Sequence, residues 1–388
     1  MMSVQNKETF TVILLRLGMA VCLFLTGCEA TSVNYYDRGI AYAKEGEYDR
    51  AISDLTKAIK IDPRDAEAYY NRGVAYGAKG EYGRAISDYT RAIELKPRDA
   101  KAYYNRAVAY GVEGEYGRRA ISDYTKAIEL NPESADAYYN RGNAYYGKGL
   151  YDKAISDFNK ALEIKPRLTE AYVNRGIAYG KKGIYDQAIS DFDKALEISP
   201  RNAKAYYNRA VAYDYKGLLQ EAISDYTKAI EMNPRDAKVY SERGLAYYNK
   251  REYDPAISDF TKALEINPEY AKAYNNRGIV YKAKGKYDLA ISDYNKAIEI
   301  SPSDAGAYNN RGNAYDDKGE HDRAISDYTK ALEINRRFAE AYVNRAVAYY
   351  DNEEYDKAWK DVYKAQSLGL QVNPGFLKAL GEASGRER

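Results

Sequence analysis

Cysteine, histidine and tryptophan are nearly absent from this chain of 388 residues, which has two cysteines, one histidine and one tryptophan. Cys22 and Cys28 both lie close to the start, so the rest of the chain has no thiol. Scarce histidine and cysteine leave little material for metal sites, nucleophilic thiols or disulfides. Any fold beyond the first residues must therefore be held together by packing, hydrogen bonds and ion pairs.

The chain also lacks an excess of charge of either sign. Its 59 basic and 57 acidic residues nearly cancel. Proteins that bind nucleic acid need a surplus of lysine and arginine to neutralise phosphates. We therefore expect no nucleic acid among the partners of this protein.

Long apolar runs are absent except in one segment near the start. Lys7 and Arg16 precede the apolar residues 17–25, and the segment closes with Leu-Thr-Gly-Cys at residues 25–28. A short apolar stretch behind positive charge is typical of a secretory leader, and this stretch is too short and too interrupted for a membrane span. The sequence therefore predicts a signal peptide over residues 1–27.

The ending Leu-Thr-Gly-Cys resembles the lipobox of bacterial lipoproteins. The resemblance implies cleavage before Cys28, acylation of that cysteine, and a lipid anchor in a membrane of the cell envelope. Glu29 follows the cysteine, at the place where members retained at the inner membrane tend to have aspartate. The expected location is therefore the outer membrane, facing the periplasm. An uncleaved N-terminal membrane anchor is the alternative.

Tyrosine is the residue that the chain has in abundance, with 44 copies against 7 phenylalanines. Reliance on one aromatic residue indicates a repeat protein, in which every unit solves the same packing problem. The pattern Tyr-x-x-Arg-(Gly/Ala)-x-x-Tyr recurs at intervals of 34 residues, with one interval of 35. Its arginines are Arg38, Arg72, Arg106, Arg141, Arg175, Arg209, Arg243, Arg277, Arg311 and Arg345. Ten units therefore run without a linker.

Each unit has the pattern of a helical hairpin. In the second unit, Tyr69, Gly73 and Tyr76 have the i, i+4, i+7 spacing of one helix face. Gly80 follows at a place where a left-handed residue can close the helix. A second apolar stripe then runs up to Pro97, and proline cannot continue a helix. These spacings predict a helix–turn–helix unit.

The same positions resemble the tetratricopeptide repeat family, which favours bulky or aromatic residues at positions 4, 11 and 24, small residues at 8, 20 and 27, and proline at 32. In the unit that starts at Ala66, the matching residues are Tyr69, Gly73, Tyr76, Ala85, Tyr89, Ala92 and Pro97. The resemblance implies an all-α fold, an α-solenoid that coils as a right-handed superhelix, with ten repeats over residues 32–369. The ends of such a stack need caps.

A C-terminal capping helix and tail are predicted over residues 370–388. Asn373 and Pro374 suit the N-cap and the first turn of a helix. Phe376, Leu377 and Leu380 would form its apolar face against the last hairpin.

Two charged positions depart from the family pattern. Position 7, usually leucine in the family, is arginine in all ten units, and position 23 is aspartate in all ten. Antiparallel helices can place these positions side by side, and a guanidinium group suits a carboxylate fork. We expect structural pairs, such as Arg72 with Asp88 or with Asp54 of the preceding unit.

The family superhelix has an inner wall formed by the first helix of each unit, and position 6 on that wall is mostly asparagine. The row consists of Asn71, Asn105, Asn140, Asn174, Asn208, Asn276, Asn310 and Asn344. It resembles the asparagine ladder of O-linked N-acetylglucosaminyltransferases, which grips the main chain of a peptide, and the resemblance implies peptide binding here. Asparagine is also common at this position in the family, so a binding ladder and a family habit remain equal alternatives. Position 5 adds an exposed tyrosine stripe that suits either binding or the core, namely Tyr70, Tyr104, Tyr139 and Tyr207.

No catalytic residue, metal ligand set or cofactor is expected. His321 stands at position 17, where eight other units have tyrosine, and is interpreted as a packing residue. We therefore expect a non-enzymatic protein-interaction scaffold of the cell envelope that holds an extended peptide or a partner protein, with no small-molecule substrate. Two alternatives remain: a substrate-recruiting subunit for a separate enzyme, such as a glycosyltransferase or cell-wall hydrolase, and a purely architectural protein that self-associates.

Overall fold

The computed structural model describes residues 31–112 and 117–386. The predicted leader and the predicted acylation of Cys28 therefore lie outside the described residues. Within the described ranges the regular structure consists of 21 helices, with no strand. None of these described helices has the length and apolar character needed to cross a membrane.

The chain divides into two compact units, the first ending at Lys182 and the second starting at Gly183. The described helices of the first unit are α1 (Ser32–Lys44), α2 (Tyr48–Ile61), α3 (Ala66–Ala78), α4 (Tyr82–Leu95), α5 (Ala100–Val112), α6 (Arg118–Leu130), α7 (Ala135–Gly147), α8 (Tyr151–Ile164) and α9 (Thr169–Lys181). Those of the second unit are α10 (Tyr185–Ile198), α11 (Ala203–Tyr215), α12 (Leu219–Met232), α13 (Ala237–Asn249), α14 (Tyr253–Ile266), α15 (Ala271–Ala283), α16 (Tyr287–Ile300), α17 (Ala305–Asp316), α18 (His321–Ile334), α19 (Ala339–Asp351), α20 (Tyr355–Ser367) and α21 (Pro374–Ser384).

Helices pack in chain order within each unit. In the first unit α1 pairs with α2, α3 with α4, α5 with α6 and α7 with α8, and each hairpin also packs against the next. The second unit repeats this arrangement from α11 to α20. Packing limited to neighbours along the chain defines a solenoid. The predicted fold class, an all-α solenoid of tandem helical hairpins, is confirmed.

The second repeat shows how a hairpin begins and how it turns at the predicted glycine. Asp65 caps α3, where its carboxylate accepts hydrogen bonds of 3.0 Å from two backbone amides of the first turn. Gly80 closes the turn between α3 and α4 in the left-handed region, with φ of 78°. Arg251 and Glu353 occupy the same turn position with φ of 63° and 60°. Side chains with a Cβ atom are strained in that conformation.

Small residues bring the two helices of a hairpin close together. A Cβ atom added to Gly73 would lie 2.8 Å from the ring of Tyr89 and 3.3 Å from the carbonyl oxygen of Ala85. Helices α3 and α4 therefore approach to a distance that leaves no room for a larger side chain at position 8 without a shift of the ring. Gly73 and Ala85 are therefore the small residues that let α3 and α4 approach closely.

The core is a series of small clusters rather than one large one. In the first unit, Ala85 and Tyr89 of α4 are buried together with Ala109 of α5. Tyr69 of α3 packs against the buried Ala58 of the preceding hairpin. Each hairpin thus depends on its neighbour to cover its apolar face.

Helix α21 covers the last hairpin. Asn373 caps it by accepting a hydrogen bond of 2.8 Å from a backbone amide of the first turn, and Pro374 is its first residue. Leu380 is fully buried in a cluster with Val362 of α20, and Phe376 packs against the same cluster. The predicted N-cap and apolar face of this helix are confirmed.

Candidate functional site

An arginine–aspartate pair braces the hairpins of both units. In the second repeat, Nε and Nη2 of Arg72 donate to the two carboxylate oxygens of Asp88, at 2.7 and 2.8 Å. The hypothesis of structural pairs is therefore confirmed, with the carboxylate partner in the same repeat and not Asp54 of the preceding one. The aspartates are buried. The pairs are Arg38–Asp54, Arg72–Asp88, Arg106–Asp123, Arg141–Asp157, Arg209–Asp225, Arg243–Asp259, Arg277–Asp293, Arg311–Asp327 and Arg345–Asp361.

The same arginine also contacts the preceding repeat. Nη1 of Arg72 donates to the hydroxyl of Thr56 at 3.0 Å, and this contact recurs along both units. The ring of Tyr69 lies 5.6 Å from the guanidinium carbon, a cation–π distance. Hydrogen bonding to Asp88 raises the pKa of Arg72, so its charge is fixed. These groups hold neighbouring repeats together.

The predicted asparagines of the first unit donate to tyrosines of the preceding repeat. Nδ2 of Asn105 lies 2.9 Å from Oη of Tyr70, and Nδ2 of Asn140 lies 2.8 Å from Oη of Tyr104. We call each such pair a Tyr–Asn rung, with the tyrosine at position 5 of one repeat and the asparagine at position 6 of the next. The four rungs are Tyr36–Asn71, Tyr70–Asn105, Tyr104–Asn140 and Tyr139–Asn174. Tyr36 also stands at position 5 but is not among the residues predicted from the sequence.

The tyrosine rings of the rungs belong partly to the core. The ring of Tyr70 packs on that of Tyr89, and the ring of Tyr104 packs on that of Tyr124, with ring centres 5.9 Å apart in both pairs. Burial raises the pKa of Tyr70 and Tyr104, so both hydroxyls stay protonated at neutral pH. The expected exposed stripe is therefore half-buried, because the rings pack inward while the hydroxyls enter the rungs.

The Tyr70–Asn105 rung retains one donor and one acceptor for another molecule. The hydroxyl of Tyr70 accepts from Asn105, and a hydroxyl that accepts one hydrogen bond can still donate another. Within the described residues, no acceptor is bonded to the hydroxyl hydrogen of Tyr70 and no donor is bonded to Oδ1 of Asn105. A rung therefore matches the carbonyl and the N–H of a peptide chain. The proposal that the asparagines bind a ligand stays a prediction.

The second unit has rungs of another kind. Nδ2 of Asn310 donates to Oδ1 of Asn275, and Nδ2 of Asn344 donates to Oδ1 of Asn309, both at 3.0 Å. In these Asn–Asn rungs an amide oxygen takes the hydrogen bond that a tyrosine hydroxyl takes in the first unit. Asn208 donates instead to the backbone carbonyl of its own helix.

The row of rungs is interrupted at the seventh repeat. Ser241 stands at position 5 and Glu242 at position 6. The hydroxyl of Ser241 and Nδ2 of Asn276 are buried without a hydrogen-bond partner among the described residues. Tyr207, the remaining predicted tyrosine, lies beside Lys238, whose Nζ is 4.9 Å from the ring centre.

Acidic groups of the second unit lie near the ends of the first helices of the repeats. Burial, followed by the nearby Glu242 carboxylate, raises the pKa of Asp214. Burial, followed by the charge of Asp316, raises the pKa of Asp351. Nδ1 of His321 lies 2.8 Å from Oδ1 of Asp316. The interpretation of His321 as a packing residue does not include this contact.

Comparisons with known proteins identify the repeat. A family model described as "Tetratricopeptide repeat" matches residues 66–99, 135–168, 169–202, 203–236, 237–270, 271–304 and 305–338. A second model, described as "TPR repeat", matches residues 39–80 and 118–149. No curated protein matches the chain at a significant level.

Solved structures with the same repeated hairpins resemble the chain. A tetratricopeptide repeat protein from Parabacteroides merdae is 26% identical, over 65% of this chain and 99% of that one, with a TM-score of 0.52. The APC/C hetero-tetramer Cut9–Hcn1 is 16% identical over 93% of this chain and 91% of that one, with a TM-score of 0.51. MamA protein is 36% identical over 45% of this chain and 95% of its own, with a TM-score of 0.42. The first two likenesses agree with the solenoid fold.

Proposed function

The chain belongs to the tetratricopeptide repeat family, and from this premise we propose that it is a non-catalytic scaffold that holds an extended peptide segment of a partner protein. The peptide lies along the Tyr–Asn rungs of the first unit. The observation that carries the proposal is the donor and the acceptor that have no partner among the described residues in two rungs, Tyr70 with Asn105 and Tyr104 with Asn140.

Recognition of the peptide main chain follows from the groups that a rung offers. The hydroxyl hydrogen of Tyr70 suits a peptide carbonyl, and Oδ1 of Asn105 suits a peptide N–H. Packed helices lie about 8–10 Å apart and an extended chain advances about 3.3 Å per residue, so roughly three ligand residues separate one rung from the next. Because the hydrogen bonds go to the main chain, extension of the ligand matters more than its sequence.

The rungs are also fixed in place before a ligand arrives. Tyr70 is held by its contact with the ring of Tyr89, and Asn105 is held by its hydrogen bond to Tyr70. Groups that are already ordered lose little conformational entropy when a ligand binds. A flexible peptide segment loses conformational entropy when it binds. The ordered rungs add little to that cost, which supports binding of such a segment.

Peptide selection with matched variants tests the proposal. Random peptides of about twelve residues, long enough to reach four rungs, are selected on the purified protein, and their affinities are measured by fluorescence anisotropy. The double variant Tyr70→Phe/Tyr104→Phe keeps the rings and removes the hydroxyls. We expect its affinity to fall about tenfold or more, because each lost hydrogen bond contributes about 1 kcal/mol.

The second unit supplies the control for this experiment. The double variant Asn275→Ala/Asn309→Ala removes two Asn–Asn rungs and should leave the affinity within about twofold. Circular dichroism of both variants checks that they are folded. Equal affinities of the wild type and the first-unit variant would refute the proposed binding device.

We further propose that residues 1–27 are a cleaved leader and that a lipid on Cys28 anchors the protein to the bacterial outer membrane, facing the periplasm. The apolar residues 17–25 and the Leu-Thr-Gly-Cys ending support this proposal. The variant Cys28→Ala should move the protein from the detergent phase to the aqueous phase in detergent partitioning. If the variant stays in the detergent phase, an uncleaved N-terminal anchor is the better account.

A further inference from the structure

Three helix ends bring Asp316, His321 and Asp351 together at the junction of the ninth and tenth repeats. Asp316 is the last residue of α17, His321 is the first of α18, and Asp351 is the last of α19. Nδ1 of His321 lies 2.8 Å from Oδ1 of Asp316. One nitrogen or carboxylate oxygen from each of the three residues lies within 4.8 Å of the other two. Asp316 and His321 are half-buried, while Asp351 is exposed, so one side of the cluster is open.

This combination occurs once among the ten repeats. His321 is the only histidine of the chain and stands where eight other repeats have tyrosine. At the junction of the sixth and seventh repeats, Asp214 stands at the position equivalent to Asp316. Leu219 stands there in place of the histidine, and Asn249 stands at the position equivalent to Asp351. The cluster is therefore a local departure from the repeat pattern.

A simple ion pair does not account for all three side chains. The half-buried imidazole of His321 pairs with Asp316, and Asp351 adds a second carboxylate to the same place. In the part of the chain that the structure describes, no lysine or arginine forms a salt bridge with either carboxylate. Two carboxylates held this close repel each other, and a cation bound between them removes that repulsion.

We propose that Asp316, His321 and Asp351 bind one divalent transition-metal ion of the zinc type. One imidazole nitrogen and two carboxylate oxygens form a ligand set that zinc accepts, with a fourth position open to water on the exposed side. Ligand atoms about 2.0–2.2 Å from zinc in a tetrahedron lie roughly 3.3–3.6 Å apart. Atoms already within 4.8 Å of one another reach that geometry through small side-chain rotations. Magnesium and calcium fit less well, because both prefer oxygen ligands alone.

Binding at this place would fasten the tenth repeat to the ninth. The three ligands come from α17, α18 and α19, so one ion joins helices of two hairpins. An ion that binds only the folded chain stabilises it. The metal therefore raises the melting temperature of the protein.

The single histidine provides a direct readout for the test. The full chain is purified in detergent with a histidine-free tag, treated with a chelator, and titrated with Zn²⁺ by calorimetry, while NMR follows the ring signals of the histidine. We expect one zinc ion per chain, a shift of the His321 ring signals, and a higher melting temperature.

Matched variants separate the site from adventitious zinc binding. His321→Tyr installs the residue that eight other repeats have, so it should keep the fold and weaken zinc binding at least about a hundredfold. Asp351→Asn should weaken it about tenfold or more. Asp214→Asn, at the equivalent position of the sixth repeat, should change nothing. Equal zinc binding by the wild type and His321→Tyr, or titration without a shift of the histidine signals, would overturn the proposal.

Discussion

The two units use the same hairpin but differ in the row of side chains at positions 5 and 6. The first unit has four Tyr–Asn rungs, of which Tyr70–Asn105 is typical. The second unit has Asn–Asn rungs, such as Asn275–Asn310, and a break where Ser241 and Asn276 are buried without partners among the described residues. The Arg–Asp brace is present in both units.

This difference separates the residues that build the fold from those that are free to vary. The brace and the small residues of each hairpin recur because each repeat needs them to pack. Position 5 varies among tyrosine, valine, serine and asparagine in repeats that pack alike. Positions at which the fold tolerates variation allow the two units to acquire different functions. The first unit has the proposed peptide rungs, and the second unit has the proposed metal site.

Removal of the Arg–Asp brace should have the largest effect on the free energy of unfolding, and the effect should be equal in the two units. Asp88→Ala in the first unit and Asp259→Ala in the second each leave a mostly buried guanidinium without its partner. We expect a loss of about 3–5 kcal/mol in the free energy of unfolding. Urea unfolding followed by circular dichroism measures this loss. A cost below about 1 kcal/mol in either unit would show that the brace is only a surface ion pair.

Restoring the missing rung at Ser241 and Asn276 in the second unit should have an intermediate effect. It should increase the free energy of unfolding. Ser241→Tyr restores the residue of the first unit, whose ring would pack on Phe260 and whose hydroxyl would accept from Asn276. We expect a gain of about 1–2 kcal/mol in the free energy of unfolding, from the new hydrogen bond and the buried ring. Ser241→Phe is the matched control and should gain about 1 kcal/mol less. Equal gains by both variants would contradict a rung at this position.

Relief of strain at one turn should have a smaller effect. Arg251 adopts the left-handed conformation that glycine adopts at the same position in other repeats, such as Gly217. Arg251→Gly should therefore stabilise the second unit by about 1 kcal/mol in thermal unfolding. Gly217→Ala makes the reverse change and should destabilise it by a similar amount. A loss of stability in Arg251→Gly would mean that the arginine side chain contributes more than the strain costs.

Acidic pH should have the smallest effect on the free energy of unfolding, and this effect arises from Asp54 in the first hairpin. The pKa of Asp54 lies below its ordinary 3.8, because hydrogen bonds from Arg38 and Lys57 outweigh the burial that acts to raise it. A carboxyl pKa that is lower in the folded state stabilises the fold above about pH 4, and this stabilisation is lost as the pH falls through the folded-state pKa. Arg38 is 36% exposed, so solvent screening keeps the effect below about 1 kcal/mol.

A pH series of urea unfolding checks this effect. Unfolding free energies at about pH 6 and about pH 3 should differ less in Asp54→Asn than in the wild type. An identical difference in both proteins would exclude Asp54 as a source of the pH dependence.

The fold could be predicted from the sequence because its determinants are local and repeated. The spacing of Tyr69, Gly73 and Tyr76 predicts a helix face and Gly80 predicts the turn. The recurring arginine and aspartate predict a brace, but the sequence leaves open whether the aspartate belongs to the same repeat or to the preceding one. Each of these signals lies inside one 34-residue unit, where helix periodicity fixes which side chains meet.

The site residues were harder to predict because they meet across repeats. The hydrogen bond from Asn71 to Tyr36 depends on how one repeat stacks on the previous one, which spacing inside a unit does not fix. Asp316, His321 and Asp351 each look like an ordinary surface or packing residue in their own repeat. The rungs and the Asp316–His321–Asp351 cluster could have been found by comparing equivalent positions in neighbouring repeats, rather than positions along one repeat.

The most direct test of main-chain recognition replaces one peptide bond of a selected ligand by an ester. An ester lacks the N–H that would donate a hydrogen bond to Oδ1 of a rung asparagine. The side chains of the ligand stay unchanged. We predict that the best-placed ester lowers the affinity of the wild type about tenfold, and that it costs less than about twofold in Asn71→Ala/Asn105→Ala/Asn140→Ala. Equal losses in the two proteins, or no loss in the wild type at any peptide bond, would contradict the account.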